Sequence, residues 1–113
     1  MLLHIVLFRP KATLTGDERR TFLAAIEQAA TAIPSLRRFR VGRVLDEAPQ
    51  YQTASAPDLP FVAVAEFDDR AGLDAYLAHP AHDELGRAFN QGLEAAFVYD
   101  YDVADAQNLQ HLV

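Results

Sequence analysis

A chain of 113 residues with 10 basic and 16 acidic side chains carries a net charge of −6, which argues against nucleic acid as its main partner. Half of it is hydrophobic, which excludes a disordered chain, and the absence of cysteine excludes disulfides, thiolate nucleophiles and thiolate metal sites. One domain of this length buries only roughly 65% of the surface its unfolded form exposes, which leaves room for a core shared with a second copy.

The opening run Leu2-Leu3-His4-Ile5-Val6-Leu7-Phe8 is apolar on both faces of a strand. Leu3, Ile5 and Leu7 point one way, and Leu2, His4, Val6 and Phe8 the other. The run is too short for a membrane span, with no basic leader before it and no small-residue cleavage site after it. It reads as the mature N-terminal strand of a cytoplasmic protein with no membrane partner. Arg9-Pro10 end it, because proline cannot continue the ladder.

Thr15-Gly16-Asp17-Glu18 has capping-box spacing, and Phe22, Ile26, Ala29 and Ile33 then form one helical face that Pro34 terminates. Leu36 to Leu45 alternates as a half-buried strand. Its basic cluster, Arg37, Arg38, Arg40 and Arg43, is expected to be a solvated or ion-paired edge. Residues 46–59 form a loop of about fourteen residues, against a usual ~4–6, and read equally as a lid or as a tolerated insertion.

Pro60 to Phe67 is the third strand, with Phe61, Ala63, Ala65 and Phe67 on one face. Asp68 and Asp69 suit a helix start, and Leu73, Tyr76 and Leu77 are its apolar positions. Pro80 breaks that helix and opens another, which carries Leu85, Phe89 and Leu93. Phe97 to Val103 is the fourth strand, with Phe97, Tyr99, Tyr101 and Val103 opposing Val98, Asp100 and Asp102. Residues 104–113 are a tail beyond a domain at 1–103, with Leu109, Leu112 and Val113 free to dock on a neighbour or to fray.

The order βαββαβ gives an α+β, ferredoxin-like fold: a four-stranded antiparallel sheet with helices on one side. Helices cover only one sheet face. A second face carrying Phe8 and several other large apolar groups would be a large exposed patch on a monomer. A homodimer with its sheets face to face closes both into a dimeric α/β barrel.

The chemistry concentrates in Tyr76-Leu77-Ala78-His79-Pro80-Ala81-His82, which holds two of the four histidines. An imidazole exchanges protons near neutral pH, and a phenol can hydrogen-bond a carbonyl that becomes an enolate. The structural alternative makes Tyr76 a buried helix ring and His82 the cap of the next helix. His79, which precedes Pro80, would fix the turn by bonding a carbonyl. His4, buried by its neighbours, is either a satisfied core histidine or a substrate contact. A metal site from His4, His79 and His82 matches no standard spacing, so no metal is expected. Ser35 and Ser55 lie outside any G-x-S-x-G elbow, and no phosphate-binding glycine loop occurs.

Several segments together resemble the stress-responsive dimeric α/β-barrel (Dabb) family. They are Leu3-His4-Ile5-Val6-Leu7-Phe8, Ile33-Pro34, Gly42, Tyr76-x-x-His79-Pro80-Ala81-His82 and Tyr99-Asp100-Tyr101, spread over residues 2–103. The resemblance implies the dimeric barrel. By similarity to a plant polyketide cyclase of the family, it also implies aldol-type chemistry without metal or cofactor. It places the catalytic pair on Tyr76 and His82 and a cavity histidine on His4. Where that cyclase has a further histidine, this chain has Phe61.

The expected cavity is mainly apolar, with Tyr76 and His82 catalytic. His4, Val6, Phe8, Phe61, His79, Phe89, Tyr99 and Tyr101 are its substrate-binding residues. The leading function is a cofactor-free enzyme using tyrosine–histidine proton transfer on a carbonyl compound, of cyclase, isomerase or lyase type. The alternative is a non-catalytic stress-responsive dimer that binds hydrophobic small molecules or stabilises other proteins.

Overall fold

Local chemistry sets where the elements begin and end. A computed structural model describes residues 1–45 and 58–113, so most of the loop expected at 46–59 lies outside the described residues. The elements run β1 (Leu2–Pro10), α1 (Gly16–Ala32), β2 (Arg38–Arg43), β3 (Phe61–Phe67), α2 (Arg70–Ala78), α3 (Pro80–Gly92) and β4 (Leu93–Asp102). A short 3₁₀ turn, Leu109–Leu112, follows.

The capping box forms as the spacing requires. Thr15 Oγ1 accepts from the Glu18 amide, and the Glu18 carboxylate accepts from the Thr15 amide. Hydrogen bonding to the Thr15 amide, and next to the Thr15 side chain, holds the Glu18 carboxyl below its usual pKa. At the other end Ile33 is extended, as a residue before proline must be. Asp69 caps α2 by accepting from the Gly72 amide at 2.9 Å.

Three strands differ in extent from the sequence reading. β1 runs on through Arg9 and Pro10 instead of ending before them, its pairing with β4 continuing past a register shift between the two. β2 is shorter, Arg38–Arg43. β4 starts at Leu93, so Leu93 opens a strand instead of closing a helix. Leu93-Glu94-Ala95-Ala96 favours helix by propensity, but pairing with β1 through Pro10↔Leu93 and Arg9↔Ala95 decides the outcome.

The sheet order is β2-β3-β1-β4, antiparallel throughout. This is the ferredoxin-like arrangement, with all three helices on one face. β1 is central, which explains its two apolar faces. Beneath the helices, Ile26 and Ala29 of α1 and Ile33 just after it meet Leu73 and Tyr76 of α2, Leu85 of α3, and Ala65 and Phe67 of β3. Gly92 is a packing residue: a Cβ there would lie 3.1 Å from a Phe22 ring carbon. Ile33→Val should cost about 1 kcal/mol. A lower urea midpoint with an unchanged slope would show it.

Phe8 requires a correction. It lies under the helices, 2% exposed, among Phe22, Phe61 and Phe89. The opposite face is instead built from Leu3, Ile5 and Leu7 of β1, Val62 and Val64 of β3, and Phe97, Tyr99 and Tyr101 of β4. Phe97, Tyr99 and Tyr101 are each about half exposed in the single chain (45%, 47% and 50%).

The basic cluster forms ion pairs on and beside β2. Arg40 and Arg38 reach Glu66 at 3.5 and 4.0 Å, and Arg37 reaches Asp68 at 2.7 Å. In the tail, His111 stands 3.6 Å from Asp102, while Leu109, Leu112 and Val113 are exposed. Among the described residues, no helix is long and apolar enough to cross a membrane.

Candidate active site

A cavity of about 250 Å³ opens between the helix-side face of the sheet and the α2–α3 pair. β1 supplies His4 and Val6, β3 supplies Ala63 and Ala65, and Phe39 and Val98 come from the outer strands. The helices supply Tyr76, Leu77, His82, Leu85, Gly86 and Phe89. The polar side chains on this wall are those of His4, Tyr76 and His82.

These three rings stand in a row, with Tyr76 between the two imidazoles. The Tyr76 ring lies 5.7 Å from the His4 ring and 4.8 Å from the His82 ring, edge-on to both. Tyr76 also rests on Phe67 at 5.1 Å, so its position is set by the core. Tyr76 is 2% exposed, and burial alone pushes its phenol up to about 12. The hydroxyl is therefore neutral at physiological pH and can donate a hydrogen bond.

His82 has its pKa lowered from the usual 6.5, chiefly by burial and next by the neighbouring His4, with Asp83 and a hydrogen bond to the Leu77 backbone acting in the opposite sense. It is a neutral imidazole at pH 7, able to accept a proton.

His4 is buried with a partner. Its Nδ1 lies 2.6 Å from Asp100 Oδ1, directly across the β1–β4 pair. The Nδ1–H donates to the carboxylate, which fixes the orientation of the ring. Asp100 was invisible as a site residue from sequence, being 96 positions away. Strand register is the signal that would have found it.

His79 takes the role that the structural alternative gave to His82. Its Nδ1 accepts from the Ala81 amide at 3.0 Å and caps α3, with Pro80 at the first helical position. The ring thus fixes the turn by accepting from an amide, not by bonding a carbonyl, and it is absent from the cavity wall. Among the described residues, no three potential ligand side chains gather as a metal site.

Of the ten residues expected at the cavity, His4, Val6, Tyr76, His82 and Phe89 line it. Phe8 and Phe61 stack on each other at 5.6 Å in the adjoining aromatic cluster. Tyr99 and Tyr101 face the other way. They pair with Ile5 and Leu3 and so share the open sheet face.

A family model described as the stress-responsive A/B barrel domain matches residues 2–103. The chain belongs to the Dabb family. Among solved structures it is similar to a dimeric ferredoxin-like protein from Thermobifida fusca, 27% identical over 90% of both chains, with a TM-score of 0.71. It is also similar to a Dabb protein from Mesorhizobium loti, 25% identical over 92% of this chain and 97% of that one, TM-score 0.70. A hydroxynitrile lyase from Passiflora edulis shares the fold, 19% identical over 93% and 94%, TM-score 0.75. No curated protein matches. Within this Dabb chain, Phe39, Ala63, Ala65, Leu77, Leu85, Gly86 and Val98 are the cavity residues that sequence reasoning did not select.

Proposed function

We propose that this Dabb chain is a cofactor-free small-molecule enzyme, of cyclase, isomerase or lyase type, that moves a proton on a carbonyl compound. The observation that carries this reading is a neutral phenol and a neutral imidazole, ring centres 4.8 Å apart, on one largely apolar cavity wall. His82 removes the proton from the carbon beside the carbonyl. Tyr76 donates a hydrogen bond to the carbonyl oxygen as enolate charge develops there. The apolar wall strengthens both interactions by excluding water. His4, oriented by Asp100, holds its ring 5.7 Å from the Tyr76 ring and so completes the polar part of the wall. The likeness to a lyase acting on hydroxynitriles agrees with the reaction class.

The working unit in this reading is a homodimer. The open face with Ile5, Val64 and Tyr99 is too apolar to be left in water. The Thermobifida relative, described as dimeric, supports the same arrangement.

The test is proton exchange. Neutral apolar ketones incubated with the protein in D₂O should gain deuterium beside the carbonyl faster than in buffer alone, read by NMR. Binding without exchange would instead identify a carrier of hydrophobic molecules. Exchange should rise with pH on a limb whose midpoint lies below 6.5, because only neutral His82 acts as base and its pKa is lowered. The phenol, near 12, adds no falling limb at neutral pH. A rising midpoint above 6.5 would remove His82 from the role of base.

A further inference from the structure

We propose that Gly86 is a specificity-determining residue: the side chain it lacks is the space in which an apolar arm of the substrate lies, one helical turn beyond His82. The proposal rests on the proton-transfer reading of this cavity and names the class of substrate it takes.

Gly86 lies in the interior of α3, away from both ends. Glycine is a poor choice there, since it frees the unfolded backbone and packs nothing. Mid-helix glycines commonly serve an unusual backbone conformation or a close approach by a neighbour. Neither applies here. No glycine among the described residues has a positive φ. A Cβ at Gly86 would meet no atom within 4 Å, whereas one at Gly92 would press on Phe22 at 3.1 Å. Gly92 is bare because Phe22 occupies the space. At Gly86 the space belongs to the cavity, which this residue lines.

The helix places that space beside the chemistry. Gly86 follows His82 by four positions, so both stand on one face, about 6 Å apart along the axis. Among the sheet residues that line the same cavity, Ala63 and Ala65 of β3 are again small. Small residues on helix and sheet help hold the cavity open, and no Asp, Glu, Lys or Arg side chain lines it. The fitting substrate is therefore an uncharged carbonyl compound. Its hydrocarbon arm extends about four methylene groups past the reacting carbon, the span of one helical turn.

The experiment uses the intact protein and a series of alkyl phenyl ketones from acetophenone to hexanophenone. Affinity is read by calorimetry and α-deuterium exchange by NMR, for wild type, Gly86→Ala and Gly86→Leu. Wild type should favour the longer ketones. Gly86→Ala should weaken the longest about tenfold and spare acetophenone, since one methylene in such a pocket is worth roughly 10–200-fold. Its melting temperature should rise by about 4 °C, because alanine suits the helix and meets no obstacle. Gly86→Leu should lose the long ketones by at least ~100-fold while remaining folded. Unchanged chain-length preference in both variants overturns the proposal. So does a lowered melting temperature in Gly86→Ala with unaltered affinity, or wild type that binds none of the series. If binding shifts as expected but wild type exchanges no deuterium, the proton-transfer reading fails and the space-making role of Gly86 stands. Exchange that is indifferent to residue 86 is the reverse result.

Discussion

His82→Ala and Tyr76→Phe should each lower α-deuterium exchange by roughly 10²–10⁴-fold, the range expected for removal of a positioned acid or base. The two variants test different halves of the reaction. His82→Ala removes the proton acceptor, so the rising limb of the pH profile should vanish along with the rate. Alanine is a good helix former at this half-buried position, and the cap of α3 depends on His79, so the helix should persist. Tyr76→Phe keeps the ring that packs on Phe67 and loses only the hydroxyl. Binding of the ketone should change little, because the phenol's hydrogen bond strengthens only as charge moves onto oxygen. Circular dichroism and thermal melting establish that both variants are folded. Full exchange in Tyr76→Phe would strip the phenol of its role, and full exchange in His82→Ala would move the base to another group.

Ile5→Asp should divide the proposed dimer. Ile5 sits mid-strand in central β1 on the open face, opposite Val64 on one side and Tyr99 on the other. With two sheets face to face, a twofold axis doubles every change. The variant would bury two like charges in an apolar interface, at an effective penalty of several kcal/mol per ion. Dimer affinity should fall by roughly 10³-fold or more. Light scattering coupled to size exclusion would then report the 12.5 kDa chain where wild type gives twice that mass. The helix side of β1 is untouched, so the isolated chain should retain its core. A wild-type protein that runs as a single chain at micromolar concentration would remove the interface from the proposal.

Much of the architecture was legible because it rests on local rules. The capping box at Thr15, the stop at Ile33-Pro34 and the break at Pro80 each act within a few residues. The two-sided apolarity of β1 correctly placed it at the sheet's centre. What was not legible depended on register. Alternation showed that Tyr99 and Tyr101 share a face, but not which face the helices cover. From sequence the aromatic pair belongs on the cavity wall, and Val98 and Asp100 on the opposing side have no role there. Pairing reverses that assignment: Val98 lines the cavity, and Asp100 holds His4. The small residues Ala63, Ala65 and Gly86 escaped for another reason. They shape a site by what they omit, and composition registers only what is present.

The two-sided character of β1 also bears on how such a chain can change. Even-numbered positions from His4 to Phe8 face the cavity and its aromatic surroundings, while Leu3, Ile5 and Leu7 lie on the open face proposed for the dimer. Because parity separates the two duties, a lineage can retune one without disturbing the other by point substitution. Loss or gain of a single codon early in this strand would swap the two sets, exporting the imidazole and importing the contact surface. Paired insertions would return each set to its own face.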